Sequence, residues 1–309
     1  MSISSKNKRI NKQQTKDKQM KKTLIAILSA LLVVTVIQPS QADDQKVLAI
    51  IDTAINSDNF PQIIHEVCFT TVKSTIASRN MSCPNGELFM EGKGAASAPW
   101  PKSINNRTYH GDSMVKSALT VDPNIKIVFI RFNDVTSIGN SRGDVRALTA
   151  AIDWVSNNAS KYSIDALSIS QSSVSADNLS RCTKDTETIN AVSLLNANNV
   201  PVFVATGNDR RKDVVGFPSC VDGVIGVGAL ATETQLEAAT NQGPGLDMVA
   251  RSGVKITKYN GAPTVAYGSS VATAVASASY VSTNSSKSFG EYLSSLAKIL
   301  IGSSSYLRS

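Results

Sequence analysis

Lys46-Val47-Leu48-Ala49-Ile50-Ile51-Asp52 is an unbroken apolar run closed by a carboxylate. A run this short and this apolar suits a strand buried on both faces, as the strands of a parallel sheet are. Working outward, the signature returns at Lys126-Ile-Val-Phe-Ile-Arg131, at residues 164–169, at 201–205 and at 223–227. Helical spacing lies between these runs. Residues 144–159 place Val145, Leu148, Ala151, Ile152 and Val155 on one stripe behind a capping Asp144, and 186–198 do the same with Ile189, Val192 and Leu195. Alternating strand and helix signals predict βαβ units, hence an α/β fold with a doubly wound, mainly parallel sheet. Residues 78–109 are rich in Ser, Asn, Gly and Pro without periodicity, and read as a long surface loop. No internal repeat or linker marks a second domain.

The N-terminus reads differently. Residues 1–22 carry eight Lys or Arg against the single acid Asp17, followed by the uncharged apolar run 23–37 and then Gln38-Pro39-Ser40-Gln41-Ala42. This is the pattern of a Sec signal peptide, residues 1–42, cut before Asp43. An uncleaved anchor is the alternative, although the apolar run falls short of the roughly 20 residues that span a bilayer. The whole chain is +7 and the leader alone accounts for that excess. Residues 43–309 are therefore near neutral, and the charge gives no reason to expect nucleic acid. The protein is expected to be exported, periplasmic or extracellular, with no stable membrane insertion once the leader is cut. All four cysteines follow the leader, and none stands in a Cys-x-x-Cys spacing that would suggest zinc. Two disulfides are expected, with the sequence-local pairs Cys68–Cys83 and Cys182–Cys220 favoured; four free thiols are the alternative.

Histidine constrains the chemistry most. The chain has only His65 and His110, so a histidine-dependent mechanism must use one of them. Gly139-Asn140-Ser141-Arg142-Gly143 matches the G-x-S-x-G elbow of α/β-hydrolases, but that fold needs a histidine after the serine, and none follows His110. Ser141 is read as loop. The order acid, histidine, serine is met instead by Asp52, His110 and Ser270. Val47–Ile55 with Asp52-Thr53-Ala54-Ile55, His110-Gly111-Asp112-Ser113-Met114-Val115 and Tyr267-Gly268-Ser269-Ser270-Val271-Ala272-Thr273 resemble the aspartate, histidine and serine motifs of the subtilisin-like serine peptidases. Val202-Phe-Val-Ala-Thr-Gly-Asn208-Asp209 resembles the segment carrying that family's oxyanion asparagine. Leu167-Ser168-Ile169-Ser170 resembles the strand lining its S1 pocket. Phe217-Pro-Ser-Cys220, Val224–Gly228 and Gly243–Asp247 resemble later segments, so the likeness runs from about 47 to 280.

The resemblance implies a three-layer, doubly wound fold of subtilisin-like type over residues 43–309 and a serine endopeptidase activity. Ser270 would be the nucleophile, His110 the general base and acid, Asp52 the residue that orients His110, and Asn208 an oxyanion donor; Ser168 and Ser170 would line the substrate site. No cofactor or metal is implied; the connection from Leu119 to Lys126 is too short for a calcium loop. The partner would be a protein or peptide substrate, and the chain is read as a monomer. Several positions depart from the family pattern: Ala54, Asp112, Ser113, Ala274, and Ser170 with Gln171 where glycine is frequent. The few residues between Ala42 and the first strand leave no room for a pro-domain. Those departures keep open a second function, a subtilisin-fold binding protein with little turnover, and a third, an esterase on the same triad. His65 is expected to sit partly exposed near a helix end, without a role.

Overall fold

Every residue of Val47–Asp52 (β1) is buried, and the pleat sends alternate side chains to opposite sides. Val47, Ala49 and Ile51 join one apolar cluster while Leu48 and Ile50 join another. This two-sided burial is what the continuous apolar run encodes. A computed structural model describes residues 45–72, 82–97, 109–135, 141–258 and 261–284. The chain divides into two units, Met1–Asp44 and Gln45–Ser309, and all described residues fall in the second. The expected leader lies outside them.

After β1 come β2 (Ile63–Phe69), β3 (Phe89–Glu91), α1 (His110–Leu119) and β4 (Lys126–Arg131). A hairpin of β5 (Asn133–Val135) and β6 (Ser141–Gly143) leads into α2 (Val145–Asn158). Then follow β7 (Ala166–Ile169), α3 (Ala176–Ser180), α4 (Thr186–Ala197), β8 (Val202–Ala205), β9 (Ile225–Thr232) and β10 (Gln235–Leu236). Strands β11 (Met248–Arg251), β12 (Val254–Thr257) and β13 (Pro263–Ala266) precede the last described helix, α5 (Ser269–Asn284). The main sheet runs β10-β9-β8-β7-β1-β4-β2-β3, with β11 also on β9. Strands β9, β8, β7, β1, β4 and β2 are parallel, and β11 pairs parallel to β9; only β10 and β3 run against them.

Helices cover both faces. On one, Leu148, Ala151, Ile152 and Val155 of α2 and Val192 and Leu195 of α4 pack on Ala49, Ile51, Val128, Ile130 and Leu167. On the other, Met114, Val115 and Ala118 of α1 and Val271, Ala274 and Ala278 of α5 pack on Leu48, Ile50, Phe129 and Phe203. The result is the expected three-layer α/β fold. Asp144 caps α2, its side chain accepting from the Arg146 N–H at 2.9 Å.

The structure corrects the reading of 78–109 as wholly loop. Within it, β3 pairs with β2, Cys83 is bonded to Cys68, and the Glu66 carboxylate accepts the N–H groups of Gly94 and Ala96. Residues 98–108 lie outside the described ones. Cys182 is bonded to Cys220, so both expected pairings are present.

Candidate active site

In open parallel sheets, chemistry gathers beyond the carboxyl ends of the strands. Asp52 ends the central β1, is fully buried, and accepts the Thr53 N–H at 2.6 Å. His110 is the first residue of α1, and Gly111 sets its position. A side chain at 111 would begin 2.6 Å from the Phe129 ring and 2.9 Å from the Thr53 carbonyl oxygen. Glycine thus lets the helix start close against β1, and the Gly111 N–H donates to Thr53 Oγ1 at 2.9 Å. One residue on, the buried Asp112 accepts from the Asn56 N–H at 2.8 Å, pinning the same helix turn to the loop after β1. Burial pushes the Asp112 carboxyl above its ordinary value despite that bond and the Lys116 charge.

The His110 Nδ1 stands 2.8 and 3.0 Å from the two oxygens of Asp52. Its side chain is 31 % exposed while that of Asp52 is wholly enclosed. Burial alone would lower the imidazole's pKa, but the Asp52 charge and hydrogen bond together lift it above the ordinary 6.5. No described residue forms a hydrogen bond to Nε2, so that nitrogen is left to a proton donor from outside the pair.

Ser270 is the second residue of α5 and is partly exposed; Ser269 before it is fully buried. Their hydroxyls differ accordingly. Ser269 Oγ accepts the Gly207 N–H at 3.2 Å, whereas Ser270 Oγ donates to the Ser170 carbonyl at 3.0 Å and Ser170 Oγ donates back to the Ser270 carbonyl at 2.9 Å. No His110–Ser270 hydrogen bond is formed. The next residue, Gln171, nevertheless places its amide nitrogen 3.4 Å from both Asp52 Oδ2 and His110 Nδ1. One Cα–Cα step of about 3.8 Å therefore separates the residue that holds Ser270 from the residue that touches the His–Asp pair. Hydrogen bonds to a serine nucleophile are often long before substrate binds.

Asn208 follows β8 and is exposed, with its Oδ1 accepting the Ser269 N–H at 2.9 Å. That bond leaves the amide NH2 end available beside the start of α5. Gly268, at φ +100°, makes room, since a side chain there would begin 3.1 Å from Asn208 Oδ1. Ser168 is fully buried inside β7, where its hydroxyl has no hydrogen-bond partner, so it offers no surface to a substrate. Ser170 is 2 % exposed and spends its hydroxyl on Ser270. Ser141, expected in a loop, opens strand β6, where it pairs with Val135 two residues before the strand passes through Asp144 into α2. His65 lies in β2, not near a helix end as expected, and binds Glu91. A cavity of about 370 Å³ lined by Asp213, Cys220, Asp222 and Asp247 contains none of the expected site residues. Gln171 was missed as a contact of the pair; only its departure from glycine hinted at it.

The family model of the subtilases, described as "Subtilase family", matches residues 95–288, more than half of the chain. The chain belongs to the subtilase family. The match spans His110, Asn208 and Ser270 and begins after Asp52, whose place beside His110 is therefore a finding of the structure. Solved structures of similar fold include a protease from Pseudoalteromonas arctica, at 18 % identity over 82 % of this chain and 83 % of that one, TM-score 0.59. A lanthipeptide protease is similar at 16 % identity over 76 % and 71 %, TM-score 0.55. A cold-adapted subtilisin-like serine proteinase is similar at 19 % identity over 79 % and 78 %, TM-score 0.53. No curated protein matches the sequence. Among the described residues of this subtilase, no helix is long and apolar enough to cross a membrane.

Proposed function

We propose that this subtilase is an exported serine endopeptidase whose triad is Asp52, His110 and Ser270. The observation that carries the reading is the buried Asp52 on His110 Nδ1, with Nε2 open and Ser270 held one residue from the pair. A serine hydroxyl is a poor nucleophile unless a base takes its proton. Ser270 Oγ, turned from the Ser170 carbonyl, attacks the scissile carbonyl carbon as its proton passes to His110 Nε2. The imidazolium, stabilised by Asp52, then protonates the leaving amine, and water releases the acyl group by the same steps in reverse. The oxyanion is taken by the Asn208 amide and the Ser270 N–H at the positive end of α5. Removing the Asn208 amide is expected to cost about 10²–10³ in kcat.

Export rests on the leader pattern and on four cysteines paired as disulfides, which persist in oxidising compartments. N-terminal sequencing of the exported protein should begin at Asp43. The Ser270 hydroxyl's bond to Ser170 favours the second reading, a binding protein with little turnover. A fluorophosphonate probe separates the two. Labelling once, at Ser270, and lost in His110→Ala, supports the peptidase; folded protein that takes no label at any pH supports the binding protein. A label at Ser141 defeats both.

A further inference from the structure

The first N–H groups of an α-helix have no partners inside the helix, and Ser270 stands where α5 begins. Around it the donors are taken one by one. The Ala272 N–H turns back to the Gly268 carbonyl at 3.1 Å, and the Ser269 N–H goes to Asn208 Oδ1 at 2.9 Å. No described residue accepts the Ser270 N–H, the donor assigned above to the oxyanion. The Gly268 N–H, two residues earlier, goes to Glu237 Oε1 at 3.3 Å. Glu237 follows β10 and is fixed by its own backbone, its N–H donating to the Ala229 carbonyl at 2.8 Å and its carbonyl accepting the Thr240 N–H at 3.0 Å. The same Oε1 accepts the hydroxyl of Ser252, which is buried at the corner between β11 and β12. One carboxylate oxygen thus ties together the turn after β10, that corner and the turn into α5. The last of these needs a tie. Gly268 lies at φ +100°, and glycine has more backbone freedom to lose than any other residue. A side chain there would begin 3.1 Å from Asn208 Oδ1, so bulk at this position cannot supply the rigidity instead.

We propose that Glu237, braced by Ser252, is a positioning residue for catalysis. By holding the Gly268 N–H it fixes where the Ser270 hydroxyl and the Ser270 N–H stand relative to His110 and Asn208. It acts through Gly268 and touches no reacting atom, and its acceptor oxygen rather than its charge does the work. The inference rests on Ser270 being the nucleophile, as proposed above. It is tested on the full exported chain with one peptide substrate, counting sites by fluorophosphonate so that kcat is expressed per labelled Ser270. Glu237→Ala should lower that kcat at least about tenfold, toward the 10²-fold that a misplacement of roughly 1 Å costs, with KM little changed. Affinity for a peptide boronate, whose tetrahedral adduct on Ser270 resembles the transition state, should fall by a similar factor. Glu237→Gln keeps an acceptor and should restore most of the wild-type kcat, and Ser252→Ala, which removes only the brace, should fall between. A role in stability alone would lower the melting temperature and the number of labelled sites while leaving kcat per site and boronate affinity at wild-type values; that result overturns the proposal. Glu237→Gln as slow as Glu237→Ala overturns it equally. Should Glu237→Ala fail to fold, Ser252→Ala decides, and an unchanged kcat per site there sinks the idea. A labelled wild type with indifferent Glu237 variants leaves the triad standing, whereas folded wild type that takes no label overturns the triad and this inference together.

Discussion

Both histidines of the chain sit 2.8 Å from a carboxylate, yet the two pairs are built for different ends. His110 meets Asp52 through Nδ1 at the carboxyl end of β1, and its Nε2 stays open. His65 meets Glu91 through Nε2, and the same nitrogen is 2.9 Å from the Tyr162 hydroxyl, which also donates to Glu91 at 3.1 Å. Its ring stacks on Tyr162, with centroids 4.5 Å apart, and lies parallel to Trp154. The carboxylates differ as much: Asp52 is fully enclosed, while a third of the Glu91 side chain is exposed. An imidazole–carboxylate pair is therefore not in itself a catalytic unit. What matters is which nitrogen the carboxylate occupies and whether the other faces a nucleophile. Nε2 of His65 has no capacity left for a serine.

Deleting each histidine in turn tests this difference at its largest. His110→Ala or Ser270→Ala should lower peptide turnover by roughly 10⁶-fold, the size of loss when subtilisin's own nucleophile or base is removed, and the double variant should lose no more. His65→Ala should keep fluorophosphonate labelling at Ser270 and turnover. Turnover that survives in His110→Ala but vanishes in a folded His65→Ala would reverse the assignment.

Removing the carboxylate charge is the next step down. Asp52→Asn should cost about 10⁴-fold in kcat, because the imidazole loses its enforced tautomer. The pH profile carries a second readout. His110 acts as a base only when neutral, and Asp52 holds its pKa above 6.5, so kcat/KM should rise with pH through a midpoint above that value. In Asp52→Asn the lowering effect of burial remains and the raising effect of the charge is gone, so the midpoint should move down. The sign for stability is the opposite of that for activity. A histidine whose pKa is raised on folding stabilises the native state fully below its unfolded pKa, and that contribution fades as pH climbs through the folded value. A midpoint unmoved by Asp52→Asn would show that the pair is not coupled.

The second pair should report only on stability, and weakly. Burial would lift the Glu91 pKa, but hydrogen bonds from His65 and Tyr162, with the charges of His65 and Lys161, together hold it below the ordinary range. A depressed carboxylate contributes above its unfolded pKa and loses that contribution as pH falls through the folded one. So exposed a pair is worth about 0–1 kcal/mol and is screened by salt. Glu91→Gln should lower the melting temperature slightly at neutral pH, less in high salt and least in acid, with kcat/KM unchanged. A change in kcat/KM would tie this cluster to the active site.

Much of this contrast was legible before the structure. β1, β4 and β8 announce themselves as continuous apolar runs because they are covered on both faces, and α2 announces itself by its stripe and its Asp144 cap. β2 does not. His65 and Glu66 interrupt its apolar run, and Glu66 is tolerated there only because two backbone N–H groups from a loop some thirty residues away satisfy its carboxylate. The edge strand β3 has three residues and no pattern to read. Asp52, His110 and Ser270 could be ordered from motifs, which are local. Ser168 showed the limit of that approach: its motif suggests a substrate wall, but its hydroxyl is buried within β7. The contacts of Gln171 depend on where the chain beyond β7 runs between Asp52 and Ser270, and nothing local in the sequence records that.

Gln171 gives the finest test of how the catalytic pair is tuned. Its amide nitrogen lies 3.4 Å from Asp52 Oδ2 and equally far from His110 Nδ1. Since Nδ1–H already donates to Asp52, the Gln171 NH2 group can only donate weakly to Oδ2, presenting the positive end of its dipole to both groups. That end is expected to soften the field of Asp52 at His110. Gln171 is therefore tested as a positioning residue against the rise that Asp52 imposes on the His110 pKa, without touching the reacting atoms. Gln171→Leu removes the dipole at similar volume, so the acid limb of kcat/KM should move to higher pH, while the plateau reached above it changes little. Gln171→Glu replaces the dipole with a negative charge and should move the limb further the same way. A purely packing role would lower the plateau and leave the midpoint fixed. A midpoint that falls in Gln171→Leu would mean that the amide oxygen, not the nitrogen, faces the pair.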